Sequence, residues 1–544
     1  APTVTPTCMK HFTGDSFVGP LLTDSYQFTM AYAYWKAGKH DDAASFDVFF
    51  RKNPFGGEYT IFAGLSEVLT FLEEYKFTAE QQAFLRTLIP QAEPEFFDYL
   101  FSLDCSQVKI RSIREGSVVF PRVPLMIVSG PLGIVQLLET TILNLVNYPS
   151  LMATNASRFR RAAGAGKGLL EFGLRRAQGP NGGMSASLYA HLGGFDATSN
   201  VCAGLTYGIP VRGTQAHSFV TSFSSLNDVA GKSMVKRAEG QGSVDLHQEA
   251  VAARDMLQLS SASNEGELAS FIAYAVAYPH AFLTLVDTYD TLSSGLPNFI
   301  YVAVALEKAG FKAAGIRLDS GDLAYLSLEC RRVLKEAALK TGIAHLEHST
   351  IVASNDINEE VLSSLNEHGH SIDTFGIGTH LVTCQKQPAL GCVYKLVALN
   401  HKPRIKLSQE SEKVTIPGEK KCFRLYSNTS EHPLVDLLTR VDETVEVGQR
   451  ILLNHVFDSA KRAFIVPDRV EELHSLVFDG KSLLNITPSY LKEARAYCIE
   501  QISHIRPDHA RRLNPTPFKV SISTALHQQM KALWEEEAPI VELK

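Results

Sequence analysis

Hydrophobic positions along the first part of the chain alternate between strand-like and helical spacing. Strand-like alternation occurs at Ala44 to Arg51 and at Ser117 to Val128, whereas Leu65 to Tyr75 repeats its apolar residues at helical spacing. This mixture predicts an α+β N-terminal domain over residues 21–140, opened by a helix that Thr23 or Asp24 caps. Residues 1–20 are rich in Thr, Pro and Gly, and we expect them to form a flexible N-terminus.

Short apolar runs alternate with helical segments between residues 141 and 392. The predicted strands are Gly208 to Val211, Ala281 to Asp287, Ala313 to Leu318, Thr350 to Ser354 and Thr374 to Ile377. The predicted helices between them are Leu296 to Ala309, Leu323 to Lys340 and Ile357 to His368. Strand-to-strand steps of roughly 25 to 40 residues suit βαβ units. The fold class is therefore α/β, and we expect an irregular TIM-like α/β barrel that carries the active site.

The remaining segments precede, interrupt or follow the predicted barrel strands. Val135 to Thr154 is a long apolar helix, and Asn155 to Arg176 continues in helical composition until the Gly179 to Gly183 stretch breaks the pattern. Residues 226–245 look like a mobile insertion. Alternation returns after Cys392 and the tail is helical, so residues 393–544 predict a C-terminal α+β extension that partly packs on the N-terminal domain.

Composition excludes several classes of partner. The 544 residues carry a net charge of −6 without a dense Lys/Arg cluster, so we expect no nucleic-acid binding. The longest apolar run, Phe299 to Leu306, is too short to cross a membrane. The eight cysteines are scattered and contain no CxxC pair, which predicts reduced thiols in the cytosol. The first twenty residues lack the apolar core of a signal peptide, which also favours a cytosolic protein.

The densest group of chemically useful side chains is Arg317-Leu318-Asp319-Ser320-Gly321-Asp322. It follows a predicted buried strand and precedes a predicted helix. Open backbone N–H groups and the helix dipole favour anions at such a place, so the motif suits a phosphorylated sugar. A structural alternative stays open, in which Asp319 or Ser320 caps the helix and Arg317 pairs with Asp319.

Polar residues follow each predicted strand of the barrel. In chain order they are Thr214 and His217, then Asp287, Arg317 and Asp319, Ser354 and Asn355, and Gly376-Ile377-Gly378-Thr379. In an α/β barrel the carboxyl ends of the strands meet at one rim, where such folds keep their active sites. The sequence therefore predicts one site built from all of these residues, with the late glycine-rich loop binding phosphate.

Several motifs together resemble those of the nicotinate phosphoribosyltransferase family, over a stretch from Leu21 to about residue 480. They are Leu22 to Gln27, Pro54 to Gly57, Phe172 to Gly179, Gly194 to Val201, Thr214 to Phe219, Arg317 to Asp322 and Gly376 to Thr379. The resemblance implies the fold of type II phosphoribosyltransferases. It also implies that nicotinate and 5-phosphoribosyl 1-diphosphate give nicotinate mononucleotide and diphosphate, the first step of NAD synthesis from nicotinate, with coupled ATP hydrolysis.

The same resemblance implies how nicotinate is held. Tyr26 and Phe172 would lie on the faces of the ring, and Arg317 with Thr214 and Ser199 near its carboxylate. A guanidinium can pair a carboxylate through two parallel hydrogen bonds, which suits this role. Tyr26 would come from the neighbouring subunit, so the resemblance implies a homodimer whose active site is shared between subunits.

The phosphoribosyl diphosphate site follows from the resemblance and from the chemistry of its groups. Mg²⁺ or Mn²⁺ would neutralise the departing diphosphate, with Asp319 and Asp322 as tentative metal ligands. Asp319 would also act catalytically at the ribose. The residues assigned to this substrate are Arg175, Asp319, Ser320, Gly321, Asp322, Asn355, Gly376, Gly378 and Thr379.

His217 is the residue that the resemblance implies is phosphorylated by ATP, the co-substrate. A phosphohistidine needs one imidazole nitrogen free to attack while a carboxylate or carbonyl orients the other. We assign Asp287 to orient His217, and we count both as catalytic together with Asp319.

Three rival functions share parts of this pattern. Nicotinamide phosphoribosyltransferase shares the Arg-x-Asp-Ser-Gly-Asp motif, but that family places an aspartate where this chain has Ser199 and an acidic residue where it has Ala216. An aspartate would repel a nicotinate carboxylate, so Ser199 favours the acid. A barrel glycoside hydrolase needs two opposed carboxylates, whereas Asp319 and Asp322 are only three residues apart. A non-catalytic binding or signalling protein on the same fold stays open.

Overall fold

The computed structural model describes residues 17–540 and 542. Of the predicted flexible N-terminus, residues 1–16 lie outside the described part of the chain. The described residues form a mixed α/β structure, as the sequence predicts.

The strands are numbered in chain order. They are β1 Ala43–Phe49, β2 Thr60–Ile61, β3 Lys109–Ser112, β4 Val118–Val119, β5 Met126–Pro131, β6 Gly168–Glu171, β7 Ala197–Thr198, β8 Met234–Lys236, β9 Ser243–Asp245, β10 Leu283–Leu285, β11 Gly315–Leu318, β12 Thr350–Ala353, β13 Thr374–Ile377, β14 Val393–Leu399, β15 Lys402–Pro403, β16 Lys420–Ser427, β17 Ser430–Arg440, β18 Ile451–Asn454, β19 Arg462–Ile465, β20 Arg469–Glu472, β21 Ser475–Asp479 and β22 Lys519–Ile522.

The α-helices are numbered in the same way. They are α1 Ser25–Lys36, α2 Leu65–Glu73, α3 Ala79–Leu88, α4 Pro94–Ser102, α5 Leu132–Leu137, α6 Glu139–Ala163, α7 Gly179–Leu192, α8 Val201–Tyr207, α9 His217–Thr221, α10 Leu246–Leu257, α11 Glu265–Ala277, α12 Leu296–Lys308, α13 Leu323–Thr341, α14 Glu359–His368, α15 Thr379–Val382, α16 Pro488–Ser503 and α17 Thr524–Glu537.

A parallel sheet forms the centre of the structure, in the strand order β10-β11-β12-β13-β6-β7. All five strand pairs are parallel, so every strand ends at the same edge. The inward residues Ile316, Ile351 and Phe375 are fully buried, as expected for a parallel sheet that is covered on both faces. This edge is where the predicted site residues are brought together.

Three secondary-structure predictions in this region were wrong. The helix expected to run to Arg176 ends at Ala163, because Gly164 adopts φ 90° and the glycine-rich chain then forms β6. The Gly179 to Gly183 stretch starts α7 instead of breaking the pattern, with Pro180 in the first turn, where a missing N–H costs little. The strand predicted at Gly208 to Val211 is reduced to one bridge between Val211 and Thr198.

Two further six-stranded sheets are present, one antiparallel and one mixed, since β17 and β22 pair in parallel in the second. The first has the order β15-β14-β1-β5-β3-β21 and so combines strands from residues 43–131 with strands from 393–403 and 475–479. The second has the order β19-β18-β22-β17-β16-β20, all from the C-terminal region. A buried ion pair between Lys420 Nζ and Asp47, 2.6 Å long, ties the two regions together.

Residues 226–245, predicted as a mobile insertion, contain a 3-10 turn and the β8–β9 hairpin. Within residues 17–540 and 542, no helix is both long and apolar enough to cross a membrane.

Candidate active site

Arg317 is the centre of a hydrogen-bonded cluster at the carboxyl edge of the parallel sheet. Its guanidinium donates to Ser354 Oγ at 2.7 Å, to Thr214 Oγ1 at 3.3 Å and to Asp319 Oδ1 at 3.2 Å. Ser354 in turn donates to the same Asp319 oxygen at 2.5 Å. The side chain of Arg317 is 15% exposed, so these bonds fix a nearly buried cation at the edge of the site.

Asp287 holds the loop after β11 in place. Its Oδ2 accepts hydrogen bonds from the Asp319 backbone N–H at 2.9 Å and from Ser320 Oγ at 2.5 Å. Its other oxygen, Oδ1, is buried without a hydrogen-bond partner among the described residues. Because Asp287 follows β10 and Asp319 follows β11, the carboxylate links the ends of two neighbouring strands.

His217 begins α9 and faces both aspartates. Its Nε2 lies 3.5 Å from Asp319 Oδ2 and 4.0 Å from Asp287 Oδ1, and Thr288 Oγ1 lies 3.0 Å from its Nδ1. The sequence assigned Asp287 to orient this ring, but the hydrogen-bonding neighbour is the adjacent residue, Thr288. The 4.0 Å separation from Asp287 is too long for a hydrogen bond.

Phe172 forms the apolar wall of the cluster. The Arg317 guanidinium carbon lies 5.3 Å from the centroid of the Phe172 ring, within the range of a cation–π contact. The ring occupies the space beside Gly376, where an added Cβ would come within 2.5 Å of two ring carbons. Gly376 lies inside β13 and pairs with Leu170. The absence of a side chain at Gly376 therefore makes room for the Phe172 ring. The sequence had assigned Gly376 only to phosphate binding.

The other residues assigned to phosphoribosyl diphosphate lie on loops along the same edge. Gly378 precedes the single-turn helix α15, and Thr379 Oγ1 accepts from Arg176 at 3.4 Å. Arg175 is exposed on the turn after β6, and Asn355 is exposed two residues after the end of β12. Gly321 adopts φ 79°, a left-handed conformation that favours glycine.

Asp322 is the residue that caps the following helix. Its Oδ1 accepts from the Tyr325 backbone N–H at 3.0 Å, at the start of α13. The capping alternative, proposed for Asp319 or Ser320, is therefore realised by Asp322, while Asp319 remains in the Arg317 cluster.

Tyr26 lies apart from this cluster within its own chain. It is 46% exposed on α1, and its hydroxyl is 3.5 Å from Glu139 at the start of α6. Burial and the Glu139 carboxylate raise the pKa of the Tyr26 hydroxyl. Ser199 is half-buried beside the cluster's strands, and its backbone N–H donates to Glu171 O at 2.9 Å.

Sequence reasoning missed a buried carboxylate, Glu171, which supports this part of the site. It accepts from Ser187 Oγ at 2.8 Å, from Thr198 Oγ1 at 2.5 Å and from the Gly173 backbone N–H. These bonds fix the chain on both sides of Phe172 and just before Ser199. The apolar run Leu169-Leu170 ahead of Glu171 was the available signal, but it was assigned to a helix. Gln215, which donates to Thr284, was also missed as a site residue.

The protein groups alone offer few oxygen ligands for a metal ion. No group of three or more His, Cys, Asp or Glu side chains suited to a metal occurs in the described part of the chain. Asp319 Oδ1 is engaged by Arg317 and Ser354, and Asp322 Oδ1 caps α13. Asp319 Oδ2 remains free of these hydrogen bonds, so the protein could supply at most a few oxygen ligands to a divalent cation here.

The geometry combines a fixed guanidinium over an aromatic ring with carboxylates and a histidine at the ends of parallel strands. A guanidinium over an aromatic ring can bind a flat anionic substrate. Carboxylates and a histidine can act as acid, base or nucleophile in a group-transfer reaction. Fold and site together are typical of an α/β enzyme with its active site at the carboxyl edge of the parallel sheet.

Comparison with known families agrees with this class. The nicotinate phosphoribosyltransferase N-terminal domain matches residues 21–147, the nicotinate phosphoribosyltransferase family matches residues 168–440, and the nicotinate phosphoribosyltransferase C-terminal domain matches residues 419–530. Nicotinate phosphoribosyltransferase 2 of Arabidopsis thaliana is 52% identical over 538 residues, covering 97% of this chain and 96% of the relative. The Homo sapiens nicotinate phosphoribosyltransferase is 45% identical over 530 residues, covering 96% and 97%.

Comparison with solved structures supports the same family assignment. The crystal structure of human nicotinic acid phosphoribosyltransferase matches with a TM-score of 0.85 and 44% identity, over 94% of this chain and all of that chain. A nicotinate-nucleotide pyrophosphorylase from Pyrococcus furiosus shares the fold at a TM-score of 0.58 and 17% identity, over 89% of this chain and 94% of that one. The chain belongs to the nicotinate phosphoribosyltransferase family and is an enzyme of this type.

Proposed function

We propose that this enzyme joins nicotinate to 5-phosphoribosyl 1-diphosphate, giving nicotinate mononucleotide and diphosphate as the first step of NAD synthesis from nicotinate. The observation that carries the proposal is the Arg317 guanidinium, held by three hydrogen bonds beside the Phe172 ring. The nicotinate ring would lie against Phe172, with its carboxylate toward Arg317, Thr214 and Ser199. The ring nitrogen then attacks the anomeric carbon of the ribose while the bond to diphosphate breaks.

The ribose and the diphosphate would occupy the loops at the same edge. We assign Asp319 to the ribose hydroxyls and the positive charge that develops on the sugar, because its Oδ2 is not engaged by Arg317 or Ser354. Arg175, Ser320, Gly321, Asn355, Gly378 and Thr379 line the loops where the phosphates would bind. Mg²⁺ or Mn²⁺, if bound, would neutralise charge on the leaving diphosphate, and Asp319 and Asp322 are the carboxylates we assign to hold it.

ATP coupling would pass through His217. Its Nδ1 faces the Thr288 hydroxyl, so Nε2, which faces Asp319 and Asp287, is the nitrogen we assign to attack the terminal phosphorus of ATP. The bond between Nε2 and phosphorus forms as the bond to the ADP oxygen breaks. Water later takes the phosphoryl group, which restores His217 and releases inorganic phosphate.

Ser199 is the observation that favours the acid over the amide. A neutral hydroxyl at this place can donate to a carboxylate, whereas the aspartate expected of a nicotinamide enzyme would repel it. Nicotinamide as substrate is the second candidate function. Mononucleotide formation with each base tests the choice: a preference for nicotinamide would overturn it.

The proposal includes a homodimer and a barrel. The strand ends that form the site are consistent with an irregular barrel in which the segment bearing Thr214 closes toward β10, since Gln215 donates a hydrogen bond to Thr284 on that strand.

Beside the site, Val201 and Leu205 of α8 are 72% and 74% exposed. Such an apolar face suits a second copy of this chain, whose Tyr26 would reach this site. For location we propose the cytosol, since the seven described cysteines are free thiols.

Mixed dimers test the shared site. Subunits carrying Tyr26→Ala and subunits carrying Arg317→Ala should each be poorly active alone, and together should recover up to about a quarter of wild-type turnover. Half of randomly mixed dimers are heterodimers, and each contains one site with both residues intact. The control mixes Phe172→Ala with Arg317→Ala subunits, where no site is complete. Equal activity in the two mixtures would contradict a Tyr26 contribution from the partner.

A further inference from the structure

Glu267 is a fully buried carboxyl that the proposed chemistry does not use. It lies in the first turn of α11, and its Oε2 accepts from Ser294 Oγ at 2.6 Å and from Asn298 Nδ2 at 3.0 Å. Its Oε1 and the Asn298 Oδ1 both lack a hydrogen-bond partner among the described residues. Two buried acceptors without donors are costly, so this arrangement calls for a physical explanation.

The first turn of α11 packs closely against the segment that carries His217. An added Cβ at Gly266 would lie 2.3 Å from Phe223 O, just after α9, the helix that His217 begins. Further along the same contact, the Phe219 ring packs edge-on against Tyr274 of α11, with centroids 5.9 Å apart. The position of α11 therefore fixes the position of the His217 helix.

The same turn of α11 also fixes the segment that carries Asp287 and Thr288. Ser294, the donor to Glu267, lies in a π-turn over Thr291–Gly295. The next residue of that turn, Gly295, is so close to β10 that an added Cβ would lie 1.9 Å from Val286 O. Val286 directly precedes Asp287, so the π-turn is packed against the end of the strand that leads into Asp287 and Thr288. Such turns are frequent at functional sites.

We propose that Glu267 is a positioning residue that joins these two segments and sets the distance of His217 from Asp287 and Thr288. This inference rests on the proposed function, because it assigns Glu267 to the ATP-coupled part of the reaction. Glu267 contacts neither substrate and acts only through Ser294, Asn298 and the π-turn.

Protonation of Glu267 relieves the unpartnered acceptor at Oε1. The pKa of Glu267 is raised from its ordinary 4.5 to about 7, chiefly by burial; the hydrogen bonds from Ser294 and Asn298 oppose this shift, and the charges of Asp287 and Asp290 contribute to it. A proton on Oε1 turns that atom into a donor beside Asn298. Elements packed against α11 carry further titratable groups. They are His217 on α9, Asp228 on the 3-10 turn after it, His247, Glu249, Arg254 and Asp255 on α10, and Tyr301, Glu307 and Lys308 on α12. Of these, Arg254 pairs with Glu265.

The sign of the pH dependence follows from the raised pKa. Between about pH 4.5 and 7 the folded protein binds a proton at Glu267 that the unfolded chain has lost, so the free energy of unfolding falls as pH rises through this window. Above it, an ionised Glu267 is buried beside Asp287 and Asp290. We expect this charge to loosen the π-turn and weaken ATP coupling.

The test compares Glu267→Gln, Glu267→Ala and the control Glu265→Gln, an exposed glutamate in the same helical turn. The readouts are the ratio of turnover with and without ATP between pH 6 and 8.5, the KM for nicotinate, and the melting temperature over the same pH range. Glu267→Gln, which supplies a permanent donor, should keep ATP stimulation and flatten its pH profile relative to wild type. Glu267→Ala should lower the stimulation by about 3- to 30-fold with an unchanged KM, and Glu265→Gln should behave as wild type.

The outcomes separate this inference from the proposed function. A Glu267→Ala enzyme that melts lower but keeps its full ATP stimulation would show a merely structural role and overturn the inference. Absence of turnover in the wild type would overturn the proposed function instead. In that case the melting curves still test the inference. If the melting temperature depended on pH in the same way in wild type and in Glu267→Gln, the assignment of Glu267 as a neutral buried carboxyl would be wrong.

Discussion

Arg317→Ala is expected to lower kcat/KM for nicotinate by more than about tenfold. In the proposed site the guanidinium binds the substrate carboxylate, and its loss also leaves Asp319 with Ser354 as its remaining side-chain donor. A hydrogen bond to a charged group contributes about 1.5–3 kcal/mol, and each 1.4 kcal/mol corresponds to a factor of ten. Steady-state kinetics with varied nicotinate at saturating 5-phosphoribosyl 1-diphosphate measure the effect.

Arg317→Lys is the matched control for charge. Lysine keeps the positive charge but cannot form parallel hydrogen bonds to a carboxylate, so we expect it to recover only part of the loss. Melting temperatures of both variants distinguish lost recognition from lost folding. Near-normal kinetics for Arg317→Ala would move carboxylate recognition to another residue.

His217→Ala is expected to retain part of the transfer activity and to lose its stimulation by ATP. In the proposed mechanism, transfer itself depends on the Arg317 cluster and the strand-end loops, whereas the phosphoryl intermediate requires the imidazole. The measurement is mononucleotide formation with and without ATP, together with the transfer of labelled phosphate from ATP to the protein. The label should be absent in the variant.

Thr288→Val is the companion variant for His217. It removes the hydroxyl that lies 3.0 Å from Nδ1 while keeping a similar shape, so the ring loses its hydrogen-bonding neighbour but remains present. We expect reduced ATP stimulation with labelling still detectable. If His217→Ala responded to ATP as wild type does, the phosphohistidine assignment would be wrong.

The sequence predicted those parts of the fold that depend on local pattern. The strands around Ile316, Ile351 and Phe375 were recognisable because buried parallel strands are short continuous apolar runs. β6 was missed because a four-residue strand between a 25-residue helix and a glycine-rich turn has the same apolar composition as a helix end. Its place in the sheet depends on pairing with β13, about 200 residues away, which no local pattern contains.

The sequence predicted which residues belong to the candidate site better than it predicted which of them contact each other. Arg317, Asp319, Thr214 and Phe172 come together because all lie near the ends of neighbouring strands or on the loops beside them. The neighbour of His217 Nδ1 could not be predicted, since Thr288 and Asp287 are adjacent in sequence and only the end of β10 decides which one faces the ring. Tyr26 lies on α1 beside Glu139, so its role depends on a second subunit and stays a prediction.

The most direct test of the account is mononucleotide formation from 5-phosphoribosyl 1-diphosphate and Mg²⁺ with nicotinate or nicotinamide, each with and without ATP. The account predicts turnover of nicotinate that rises with ATP, and little turnover of nicotinamide under either condition. Turnover of nicotinamide in preference to nicotinate would contradict the role given to Ser199 and Arg317. Absence of turnover with both bases would contradict the proposed reaction itself.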